Sequence, residues 1–154
     1  MLIRVVRFFG NRCRTLSRVC VFAGSGVDGE LPVLECAAVE PSFRDYRVVF
    51  SGVRGFCLPV GSFVMKTGVT EFGLWGLRIL GAPGHLGAMV GFAGAGGGAR
   101  WNMILLGRVE DEGVEDEVKR VVDGEGVFRR LEGLVRCAFV RGEEMRIEIC
   151  NSFV

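Results

Sequence analysis

The chain has only one histidine, His85, and none of its six cysteines (Cys13, Cys20, Cys36, Cys57, Cys137 and Cys150) forms a C-x-x-C pair. Zinc sites announce themselves as closely spaced cysteine and histidine, so no metal site is expected. No signal peptide is recognisable, which favours free, buried thiols in a protein of the cytoplasm or nucleus over a disulfide framework. Surplus charge is missing too: the formal net charge is +1. Nothing in it pulls the chain toward nucleic acid or an anionic membrane, and any partner has to be argued locally. Long apolar runs are also absent. The stretch from Gly68 to Gly98 is divided by Glu71, Arg78, Pro83 and His85 and is rich in glycine, so no transmembrane segment is expected. Acids are lacking from residues 1–27, which carry Arg4, Arg7, Arg12, Arg14 and Arg18. That bias suits a mitochondrial presequence, but Leu2 to Phe9 is β-branched and aromatic and reads as a first strand, with arginines spaced for an exposed edge.

What is present is globular. Apolar residues make up 49% and charged residues 24% of 154 positions, enough for a single domain with a core. Short apolar segments separated by glycine or proline recur about every ten residues, the pattern of an all-β sandwich or barrel. Strands are expected at 2–9, 17–23, 31–38, 46–51, 56–58, 62–67, 74–80, 88–93, 101–106, 136–141 and 144–150. Helical periodicity is confined to 110–135. Acids from Glu110 to Glu117 precede Lys119 and Arg120, Val114, Val118, Val121 and Val122 share a face, and Gly124-Glu125-Gly126 is expected to end the helix and allow a second short one.

Two glycine clusters invite functional readings. Gly24-Ser25-Gly26-Val27-Asp28-Gly29 matches G-x-G-x-x-G, yet Pro32 follows and no βαβ alternation does, so a turn between strands explains it better than a dinucleotide site. Gly94 to Gly98 could cradle a phosphate through backbone N–H groups but lacks the Lys-Ser/Thr ending of a P-loop; its plain reading is a flexible hairpin or a close approach of backbones.

In order, these pieces resemble the trimeric dUTPase family. Leu2-Ile3-Arg4-Val5-Val6-Arg7 is similar to its first strand, and Ala23 to Asp28 to its small-residue run ending in aspartate. Leu58 to Val69 resembles its proline-glycine turn, apolar strand and Thr-Gly step, with Gly73-Leu74-Trp75-Gly76 in place of a G-x-x-G turn. Gly91 to Gly107 resembles the catalytic strand, and Phe139 to Ile149 the Gly-Asp-Arg-Ile strand. The resemblance implies an all-β, dUTPase-like jelly roll or β-barrel over residues 1–154, with 110–135 as a peripheral helical insertion, and it implies a homo-oligomer, a trimer, that completes its sites between subunits.

The departures from the family carry the functional expectation. The family's general-base aspartate and its sugar-packing tyrosine line up with Gly94 and Gly97, which can neither take a proton nor stack. Its Arg-Ser-Gly phosphate motif is replaced by Gly81 to Gly87, with Arg78 the nearby cation and His85 the one conventional acid–base residue; the closing C-terminal arm has no counterpart. Asp28 remains as a vestigial nucleotide contact. The last residues, Ser152, Phe153 and Val154, fit a class I PDZ ligand. Such a tail also ends the adenoviral early-region-four proteins, dUTPase-like proteins without activity. The expectation is therefore a non-enzymatic, viral, dUTPase-like regulatory module with no cofactor that engages PDZ domains through residues 151–154. The alternatives are a divergent active dUTP nucleotidohydrolase holding Mg²⁺ with Asp28 and a carboxylate of 110–117, and an unrelated all-β domain.

Overall fold

A computed structural model describes residues 1–43, 56–69, 75–110 and 119–152. Nine strands and one helix follow in the order β1 (Leu2–Gly10), β2 (Thr15–Phe22), β3 (Leu34–Glu40), β4 (Gly61–Val69), β5 (Trp75–Leu80), β6 (Met89–Phe92), β7 (Met103–Val109), β8 (Val121–Val122), α1 (Glu125–Val140) and β9 (Met145–Asn151). The sheet runs β3-β2-β1-β9-β4-β5-β6-β7-β8, and a further pairing of β3 with β7, through Ala38 opposite Leu106, closes eight of the strands into a barrel. Closure removes the open edges that a sheet of this size would otherwise present. The pairs β1–β9 and β6–β7 are parallel; the others are antiparallel.

Alternation sorts the residues of these strands. Ile3 and Val5, Val19 and Val21, Leu34 and Ala38, Leu77 and Ile79, Ile104 and Leu106, and Ile147 and Ile149 are buried in one cluster that fills the barrel. The intervening positions of β1 and β9, Arg4 and Glu148 among them, face outward and pair at 2.7 Å. Arg7 departs from the expected exposed edge: β1 is flanked by β2 and β9, and the Arg7 side chain points inward with 1% exposure. Its Nε and Nη2 donate to the two carboxylate oxygens of Glu40 at 2.8 and 2.7 Å, and Nη2 also donates to the Leu58 carbonyl at 2.6 Å. The Leu58 N–H donates to Glu40 at 3.2 Å, so this interior ion pair is hydrogen-bonded on both partners.

Among the described residues the helix is α1, Glu125–Val140, which overlaps only the end of the expected 110–135 and runs past it. Residues 111–118 lie outside the described part. Val121 and Val122, expected on a helix face, form β8 against β7 instead, because β-branched residues sit well in a pleated pair. Gly124-Glu125-Gly126, expected to end one helix and allow a second short one, does open a helix, and that helix is longer than expected. A Cβ on Gly124 would lie 1.8 Å from the Leu106 carbonyl oxygen, so only glycine lets the chain turn into the helix against β7. The expected strand 136–141 is the last turn of this helix. Phe128, Leu131, Val135 and Ala138, spaced three and four apart, are buried in the barrel's own cluster, which overturns the reading of a peripheral insertion. On the outer side, Glu125–Arg129 and Glu132–Arg136 form i,i+4 ion pairs at 2.6 Å. Phe128 packs on Trp75 at the start of β5 and on Phe92 at the end of β6, with ring centroids 5.7 and 5.5 Å apart, and so covers that mouth of the barrel.

The remaining strand expectations hold within a few residues, except that 46–51 lies outside the described residues and 56–58 is reduced to a bridge between Phe56 and Ser42. The G-x-G-x-x-G segment is a turn between β2 and β3, as expected. Gly26 and Gly29 have φ of 69° and 89°, and the Glu30 carboxylate accepts the N–H groups of Gly24 and Gly26 at 2.8 and 2.6 Å.

Candidate functional site

The glycine-rich segment is not a hairpin. Because β6 and β7 are parallel, residues 93–102 must travel back from the end of one strand to the start of the next. The crossover begins by extending the ladder. Ala93 N–H donates to the Leu106 carbonyl, and the N–H groups of Gly124 and Asp123 donate to the carbonyls of Ala93 and Gly94. Ala93 and Ala99 then pack with Leu16, Val39, Leu105 and Val121 in a second apolar cluster on the outer face. Small residues are needed for such a lie. At Gly97, with φ 66°, a Cβ would meet the Val121 carbonyl at 3.3 Å, whereas Gly94 and Gly96 have open space where a Cβ would stand.

Beside this crossover is a groove of about 630 Å³, within the range of small-molecule sites. Its floor is the outer face of β5, β6 and β7. Gly76 and Gly91 lack side chains there, and the Met89 and Met103 methyl groups occupy the space, close enough that a Cβ at either glycine would lie 2.3 and 2.6 Å from them. Trp75, Phe92 and Phe128 form an aromatic wall, Gly94 to Gly98 and Arg100 one rim, and Glu125, Arg129 and Glu132 the other. An aromatic wall beside two thioethers makes an adaptable apolar surface suited to a hydrophobic guest.

The site residues read from the sequence are distributed unevenly around this groove. Gly94 and Gly97 both line it. Asp28 does not: it is exposed in the turn between β2 and β3. From the acidic run, Glu110 is paired with Arg120 at 2.6 Å, and among the described residues no cluster of three His, Cys, Asp or Glu side chains could hold a metal ion. His85 is elsewhere as well, beside a second cavity of about 460 Å³ that Arg78 also lines. It is buried, and its Nδ1 lies 2.9 Å from Asn102 Oδ1. Asn102 donates its amide N–H to the Leu86 carbonyl at 2.6 Å, so its oxygen is the acceptor and His85 Nδ1 carries the proton. Burial lowers the His85 pKa and the Asn102 bond partly opposes that shift. The pair ties the 81–87 loop to the start of β7, which is a structural task. None of the six cysteines is in a disulfide, and burial pushes the Cys36 thiol up to about 12, well away from a reactive thiolate.

Comparison with protein-family models, with curated proteins and with solved structures finds no match. The dUTPase resemblance therefore rests on the sequence motifs alone.

Of the tail, Ser152 is described and Phe153 and Val154 lie outside the described residues. Ser152 is not free of the barrel: its N–H and its hydroxyl both donate to the Arg7 carbonyl, at 2.8 and 2.7 Å, extending the parallel pairing of β9 with β1 by one residue. Among described residues no helix is long and apolar enough to cross a membrane.

The sequence did not single out Trp75, Met89, Met103 or Phe128. Their one signal was glycine within strands, at Gly76 and Gly91, which marks a place where something approaches the backbone closely.

Proposed function

We propose that this chain is a non-enzymatic, dUTPase-like β-barrel that works by binding, a regulatory module of viral type in the cytoplasm or nucleus. The observation that carries the reading is that Gly94 and Gly97 line one groove whose floor and aromatic wall are apolar, with charged side chains confined to its rims. In the family it resembles, these positions hold the general base and the sugar-packing ring. Here they border a floor of Met89 and Met103 and a wall of Trp75, Phe92 and Phe128. Such a lining favours a hydrophobic guest over in-line attack on a phosphate, which needs a base and several cations held close together. Assembly into a trimer and capture of PDZ domains by Ser152, Phe153 and Val154 belong to the same proposal. The second of these requires Ser152 to leave the Arg7 carbonyl.

Binding at the groove is tested with 4-phenyl-1-butanol, followed by Trp75 emission in a Trp101→Phe background. The expected result is a saturable change that Gly94→Phe abolishes without altering the melting temperature, since a side chain at 94 meets open space on the groove's rim. A response that does not saturate, or one that Gly94→Phe leaves intact, overturns the reading.

A further inference from the structure

The charges around the groove narrow its guest. Four ionisable side chains line it, and three are already engaged: Glu125 with Arg129 and Glu132 with Arg136, each at 2.6 Å. Arg100, on the opposite rim, is exposed and makes no ion pair among the described residues. The groove is thus apolar along its floor and wall, cationic at one point beside the glycine crossover, and lined with carboxylates across from that point.

We propose that the groove takes a small amphiphilic monoanion, an aromatic or alkyl body with one carboxylate, whose head group pairs with Arg100 while its body lies on Met89 and Met103 against Trp75, Phe92 and Phe128. This rests on the groove being a binding site and adds the class of ligand. A guanidinium holds a carboxylate through two parallel N–H donors. A polyanion is disfavoured, because Arg100 is the one lining cation not paired with a carboxylate among the described residues and a single charge cannot balance several. An uncharged guest of the same shape would use the floor and wall but leave Arg100 solvated.

The test compares 4-phenylbutyrate with 4-phenyl-1-butanol, which share the body and differ in the head, on the full chain by Trp75 emission or calorimetry. The acid is expected to bind roughly fivefold tighter than the alcohol, the worth of an exposed ion pair. Arg100→Gln should remove that preference and leave alcohol binding and the melting temperature unchanged; raising the salt should shrink it in the wild type. Equal affinities for acid and alcohol in the wild type, or a preference that survives Arg100→Gln, overturn the monoanion while leaving the groove as a binding site. Failure of both probes to bind overturns the groove reading as well. Displacement of 4-phenylbutyrate by dUMP at lower concentration overturns the proposal in favour of a nucleotide.

Discussion

At the scale of single residues, the least expected feature is the charge inside the barrel. Arg7 and Glu40 are 1% and 0% exposed and bind each other through two hydrogen bonds. Removing one partner strands the other in a low-dielectric interior, so Arg7→Met should destabilise the protein by about 3–5 kcal/mol in urea denaturation. Arg7→Met with Glu40→Leu should be less destabilised than Arg7→Met alone, because no uncompensated charge remains; a double variant as unstable as the sum of its parts would show that the pair matters through packing only. His85 supplies a pH dependence. Its folded pKa lies below the ordinary 6.5, chiefly through burial, so the unfolded chain binds the proton more readily. The stability tied to neutral His85 is complete above about 6.5 and is lost as pH falls toward the folded value. His85→Gln should flatten the fall in melting temperature as pH drops below about 6.5; an unchanged slope would assign it to other groups. Arg7 shows why the sequence misleads at this scale. Arg4 and Arg7, three apart in a strand, fall on opposite faces by alternation, and what no local reading supplies is the partner that makes an inward arginine tolerable, Glu40 on β3, 33 residues away.

At the scale of elements, the strands were largely legible and the helix was not. Strands announced themselves through alternation in Leu2 to Phe9 and Met145 to Cys150, and the barrel respects it. The helix was misjudged because Gly124 and Gly126 read as a break before a short second helix, whereas they open one of 16 residues. What fixes the true start is a contact between distant segments, Gly124 against Leu106, which no local window contains. Gly124→Ala should therefore be severely destabilising, whereas Gly126→Ala, with open space around its Cβ, should stabilise the helix by about 0.5–1 kcal/mol. Equal effects in thermal unfolding would contradict the placement of the helix start. Deleting residues 125–140 should abolish cooperative unfolding, since Leu131 and Val135 are fully buried in the barrel cluster. A deletion variant that still unfolds cooperatively would restore the view of the helix as an appendage. The groove was half legible: the glycine run pointed to Gly94 and Gly97, but the parallel path of β6 and β7, which lays that run along the barrel beside Met89 and Met103, is a property of topology.

At the scale of the whole molecule, a closed eight-stranded barrel, sealed at one mouth by a helix, carries the groove proposed above as a binding site. The tail bears on how such a module meets a partner. Ser152 is held by the Arg7 carbonyl, so the proposed PDZ capture would have to compete with the last rung of the β1–β9 pairing. Val154→Ala should then abolish PDZ capture without changing the fold, and pull-downs indifferent to that substitution would remove PDZ domains from the proposal. The claim that chemistry has been lost is tested most directly by pyrophosphate release from Mg²⁺–dUTP on the purified protein. The account predicts none above background, for the wild type and for Gly94→Asp alike, because a restored carboxylate would still face an apolar floor without the family's phosphate contacts. Turnover within about a hundredfold of an ordinary enzyme's median of roughly 10 s⁻¹ would contradict it.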